Sequence, residues 1–160
     1  MKIFFSVALF SFLIAGCNFS VGTKKDFATG LSFDYKGFRV DNVVLVDSIN
    51  QKLSSNQIPF NSRIGLMVDG ISNFTAKDGL VYPGMTVEIF DKQGNPVVGQ
   101  SPDLFAQNAG FTAKEASVLL GSAMLHAPMQ AGGTYVVKTH VWDKNNPGNL
   151  LDAEVELLLK

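Results

Sequence analysis

Apolar and polar residues alternate with period two through much of this chain, the pattern of strands half-buried in a sheet. The clearest run is C-terminal. Residues 151–159 set Leu151, Ala153, Val155, Leu157 and Leu159 on one face and Asp152, Glu154 and Glu156 on the other. Residues 134–142 repeat the pattern with Tyr135, Val137, Thr139 and Val141, and an Asn/Pro/Gly stretch, residues 143–149, separates the two. Alternating runs joined by turn residues predict an antiparallel hairpin. Further strands are expected over residues 43–49 (VVLVDSI), 64–68 and 86–90, each stopped by Asp or Asn. Asp91-Lys92-Gln93-Gly94-Asn95 has hairpin-turn chemistry, with a short strand behind it at Val97 and Val98.

The stretch between these strands is less regular. Ser101, Pro102 and Asp103 predict a short helix that Gly110 ends. Thr112 and Glu115 stand at the spacing of a capping box. Residues 116–127 fit a helix by their 116/119/120/123/124 spacing, or a strand over residues 117–126. Gly121 and Ser122 in mid-run, and a sandwich's need for strands, favour the strand. The sum is an all-β antiparallel sandwich of about seven strands with one short helix, not a βαβ fold.

The N-terminus has a different pattern. Lys2 precedes an apolar run, residues 3–14, broken only by Ser6 and Ser11. It is too short to span a bilayer stably and fits the core of an export signal. Ile14-Ala15-Gly16-Cys17 resembles the bacterial lipobox. That resemblance implies cleavage before Cys17, a diacylglycerol on its sulfur and an acyl chain on its new amino group. Asn18 stands where some Gram-negative bacteria use aspartate to retain lipoproteins in the inner membrane. The resemblance therefore points to the outer membrane, on either its periplasmic or its exterior side. Residues 1–16 are read as the signal, residues 17–32 as a lipidated flexible tether and residues 33–160 as the sandwich domain.

Two further stretches carry a resemblance. DGLVYPGM at residues 78–85 and GTYVVKTHVWD at residues 133–143 are similar to uncharacterised bacterial lipoproteins with an immunoglobulin-like sandwich. The similarity covers residues 43–159. It implies that fold and an anchor, and brings no activity or catalytic residue with it.

Composition narrows the partners. The formal charge of −1 becomes −2 once Lys2 leaves with the signal, and no basic run appears, which argues against nucleic acid. The single cysteine closes off intrachain disulfides and cysteine-based zinc sites.

Little here is arranged for chemistry. Nucleophilic catalysis needs a nucleophile, a base and an orienting group, and the only histidines are His126 and His140. Glu88, Glu154 and Glu156 are candidates for one sheet face, the arrangement a glycosidase would use, although solvated strand faces carry such residues routinely. Residues 143–154 follow a calcium-loop spacing at Asp143, Asn145, Gly148, Leu150 and Glu154. Pro147 fails the fifth position, and the flanks have strand period, so a plain turn is the favoured reading and no cofactor is expected. Trp142 falls out of phase with the apolar face, beside His140, and Tyr82 lies in a loop. These three are the candidate residues for stacking on a glycan. The expectation is a non-enzymatic accessory lipoprotein that binds another envelope protein, with glycan binding as the alternative.

Overall fold

The C-terminal alternation builds the centre of the larger of two sheets in the computed structural model, which describes residues 20–97 and 101–160. Among the described residues there are nine strands: β1 (Val21–Lys25), β2 (Ser32–Lys36), β3 (Asn42–Val46), β4 (Gln57–Ile58), β5 (Ser62–Asp69), β6 (Pro83–Phe90), β7 (Val118–Leu125), β8 (Thr134–Asp143) and β9 (Asn146–Leu159). The large sheet runs β1-β2-β9-β8-β6, and β4 joins β9 beyond the end of β2. The small sheet runs β3-β5-β7. All pairings are antiparallel except β4 with β9, so the fold is an all-β sandwich as the alternation predicts.

The core lies between the sheets. Leu151, Val155, Leu157, Val137, Val141 and Met85 face Val43, Leu45, Ile64, Leu66, Val68 and Leu125, and all are buried. Gly121 is the inward residue where β7 crosses β6. A Cβ there would fall 2.7 Å from the Met85 methyl and closer still to Val87, so glycine lets the sheets close. Phe38 against Phe74, with centroids 4.7 Å apart, packs at the edge of this core.

Several elements differ from the sequence expectation, each for a local reason. Residues 21–25, read as tether, form β1, an outer strand paired along β2; exposed on both faces, it has no apolar rhythm to display. The strand expected over residues 43–49 stops at Val46. There Asp47 Oδ1 accepts the N–H of Ile49 and of Gln51, both at 2.9 Å, and turns the chain. No helix forms after Ser101. Asp103 Oδ1 instead accepts the N–H of Met85 at 3.0 Å and of Phe105 at 2.9 Å, binding the segment to β6.

The Thr112–Glu115 capping box closes reciprocally, at 2.8 and 3.2 Å, but heads only the 3-10 turn Glu115–Ser117. The chain then enters β7, the strand favoured for this segment. The expected hairpin turn at Asp91 forms, with Val97 N–H donating to Ile89 O at 2.8 Å, while Val98 lies outside the described residues. So do residues 1–16 and Cys17. The β8–β9 turn is tighter than residues 143–149: Asp143 pairs with Asn146, and the register then shifts so that Trp142 pairs with Leu150.

One core position works against stability. Thr139 is buried between the sheets, and among the described residues its Oγ1 has no hydrogen-bond partner. An unsatisfied buried hydroxyl costs about 1–3 kcal/mol, so Thr139→Val should raise the unfolding free energy by about 1 kcal/mol or more. Urea midpoints of the two proteins check this; an unchanged or lower midpoint for the valine variant would refute it.

Candidate functional site

Directly paired residues on neighbouring strands share a face, so the ladder registers assemble the outer surface of the large sheet rung by rung. The first rung is Val21, Lys36, Leu150, Trp142 and Gly84. The second is Thr23, Asp34, Asp152, His140 and Thr86, and the third is Lys25, Ser32, Glu154, Lys138 and Glu88. Trp142 lies over Gly84, where a Cβ would enter the indole, so only glycine admits the ring at this depth. The His140 ring stacks on Trp142 at 5.3 Å between centroids, and its Nδ1 is 2.8 Å from Asp152 Oδ1. A shallow, mainly apolar depression lies between His140, Trp142, Pro147 and Leu150.

The expected aromatic set is thus only partly assembled. His140 and Trp142 come together because they are two residues apart on one strand. Among the described residues no ring contact joins Tyr82 to them. The chain bridges Val81 to Phe111, and the Tyr82 ring packs beside Gly110.

The calcium-loop spacing is pulled apart as well. Asp143 is buried, with Oδ2 accepting the N–H of Thr75 at 2.6 Å and the Asn149 amide at 3.2 Å. Its Oδ1 accepts the N–H of Asn145 at 2.9 Å, and the Asn145 amide donates to Thr75 O. This carboxylate therefore ties the 73–75 loop to the hairpin. Glu154 stands two rungs away, 3.9 Å from Lys138. Among the described residues no three His, Cys, Asp or Glu side chains converge to hold a metal. Glu88 and Glu154 share the third rung with Lys138 between them, two strand spacings or about 10 Å apart.

A second surface was not evident in the sequence. β7 is an edge of the small sheet, and its outward residues Val118, Leu120 and Met124 are 46%, 37% and 48% exposed. Its eight residues, VLLGSAML, carry no charge. Among the described residues no backbone group bonds its outer edge. The apolar character of both faces made helix and strand hard to separate, and it was itself the only available signal of this surface.

The loop behind Trp142 is held by charge. Lys144 Nζ lies 2.7 Å from Asp103 Oδ2 and donates to Phe105 O at 2.9 Å. Burial works against the Asp103 charge, but hydrogen bonds from Lys144 and from the N–H of Phe105 and Met85 outweigh it. They hold the carboxyl below its ordinary value. No protein-family model matches this chain, and no curated protein matches it.

A carboxylate whose pKa is depressed by folding stabilises the fold above its unfolded pKa and loses that contribution as pH falls through the folded value. Asp103→Asn should therefore cost about 1–3 kcal/mol near neutral pH. The gap to the parent protein should close below about pH 4. Urea midpoints across that range test it; a gap independent of pH would assign the cost to packing instead.

Proposed function

We propose that this protein is a lipid-anchored accessory module of the bacterial envelope, non-enzymatic, whose immunoglobulin-like sandwich binds another envelope protein by strand addition. The observation that carries the reading is β7. Natural sandwiches blunt their edge strands with charge, bulges or covering loops, because a bare edge invites another strand. Here β1 carries Lys24 and Lys25. β3 is bonded by Leu53 N–H at Leu45 O, and β6 by Leu104 N–H at Met85 O. Among the described residues β7 has none of these along its backbone edge; the nearest charge is Arg63, which donates to Ser122 Oγ, and β7 adds three exposed apolar side chains. A partner offering an extended, uncharged strand would satisfy its backbone and cover Val118, Leu120 and Met124. The anchor belongs to the same reading through Cys17 and its lipobox-like flank.

Glycan binding has one observation in its favour, the His140–Trp142 stack. It lacks the second platform that Tyr82 was expected to supply.

Two experiments test the proposal. Mass spectrometry of the mature protein should find an acylated Cys17 as its first residue, and Cys17→Ser should abolish that processing; an unmodified Cys17 would refute the anchor. A photo-crosslinking residue at Leu120 or Met124, activated in native membranes, should give one adduct of constant mass. The same residue at Lys92 should give none. Leu120→Lys should remove the Met124 adduct while leaving the thermal midpoint close to that of the parent. An adduct of twice the chain's mass would make β7 a contact between copies, and no adduct would refute strand addition.

A further inference from the structure

We infer that the first rung of the large sheet, Val21, Leu150 and Trp142 with Pro147 beside it, is a foot on which the domain rests against the bilayer surface. This rests on the proposed acylation of Cys17. Val21 is four steps along the chain from Cys17, and a fully extended chain covers at most about 14 Å in that length. The nearest part of the sandwich is therefore held within reach of lipid headgroups. Val21 marks that part, because β1 starts there and runs away from it. Phe27, the most exposed large apolar residue at 91%, is six residues further on, about 20 Å along the chain if extended.

The side chains on the first rung suit an interface. Val21 is 60% exposed, Pro147 is exposed, and Leu150 and Trp142 are half-buried. Trp142 lies three strand spacings, about 14 Å, from Val21 on the same face. Indole has an apolar body and one N–H donor, the combination that partitions to the headgroup level.

The first rung has no carboxylate. The second carries Asp34 and Asp152, and the third carries Glu88 and Glu154 with Lys25 and Lys138, charges that favour water over the apolar side of a bilayer surface. The face thus grades from mainly apolar beside the leash, where Lys36 is the charged member of the rung, to densely charged away from it. That gradient stands the domain on its Val21 end and keeps the sheet from lying flat. A sugar bound at Trp142 is the competing occupant, and nothing in a glycan site requires Val21 or closeness to the anchor.

Trp142 is the only tryptophan, so the fluorescence of the full, lipidated chain reports this position alone. The protein is reconstituted into phosphatidylethanolamine–phosphatidylglycerol vesicles, with and without lipid brominated near the top of the acyl chain. The expected result is flotation with the vesicles, a blue shift relative to detergent, and loss of emission with the brominated lipid. Val21→Asp with Pro147→Asp, both at exposed positions, should float equally and lose much of that quenching. Flotation without quenching would overturn the foot and leave the anchor standing. Failure to float would overturn the anchor, and the foot with it. A Trp142 response to soluble oligosaccharides, with none to brominated lipid, would assign the patch to sugar.

Discussion

β9 makes ladder bonds along both of its edges, and the rest of the large sheet is placed by it. β8 takes one edge along almost its whole length, while β2 and then β4 take the other. Its side chains alternate strictly, so Leu151, Ala153, Val155, Leu157 and Leu159 are all buried while Asp152, Glu154 and Glu156 are exposed. A slip of one residue would exchange the two sets, turning three carboxylates into the core. No small adjustment elsewhere would offset that, so the register of β9 is the fixed point from which the positions of β2, β8 and β6 follow. The outer face inherits the same order. Because the rungs are locked, Trp142 must stand level with Leu150 and Val21, and Lys138 must stand between Glu88 and Glu154.

The end of the β8–β9 ladder is where the regular pattern gives way. Residues 147–149 are extra on β9, and the shift turns Asn149 inward to donate to Asn73 O and to Asp143. Asp143 continues the inward phase of Val137, Thr139 and Val141. A carboxylate at an inward position is tolerated because it accepts hydrogen bonds from Thr75, Asn145 and Asn149. The same hairpin carries Lys144, whose ion pair with Asp103 holds the loop across the free edge of β6. One turn thereby closes the sandwich end and covers an edge strand.

How much of this was legible depends on where each residue meets water. β5, β6, β8 and β9 were readable because one face of each is buried and the period of two is explicit. β1 was not, because as an outer strand exposed on both faces it looks like linker. β2 did alternate, with Phe33 and Tyr35 against Ser32, Asp34 and Lys36, but five residues beside a glycine-containing turn were too few to stand out. The inward phase of Asp143 was visible in principle, yet Asp and Asn are turn formers, and one of the donors that justify its burial, Thr75, lies 68 positions away. The packing of the Tyr82 ring beside Gly110 likewise depends on a bridge from Val81 to Phe111 that no local pattern encodes. β7 is the sharpest case. A strand apolar on both faces normally means burial on both, and only its place at the edge of a three-stranded sheet leaves one side uncovered.

That placement also bears on how anchor and partner would coexist. β1 and β6 are opposite edges of the large sheet, four strand spacings or about 19 Å apart. β7 packs beside β6, since Gly121 lies against Met85 and Val87. A tether leading into β1 would therefore join one side of the sandwich, and the uncharged edge of β7 lies on the other. A strand added to β7 would extend the small sheet away from β1, without crossing the chain that leads to the lipid. Nor would it compete for the charged outer face, which belongs to the other sheet. Strand addition needs an approach in the plane of the small sheet, and a domain standing on its Val21 end presents that edge sideways, parallel to the bilayer. A partner held in the same membrane would meet β7 by lateral diffusion. Confinement to the membrane would raise its effective concentration over that of a soluble strand, and on the proposed reading this would let a short, uncharged edge of eight residues suffice as a recognition element.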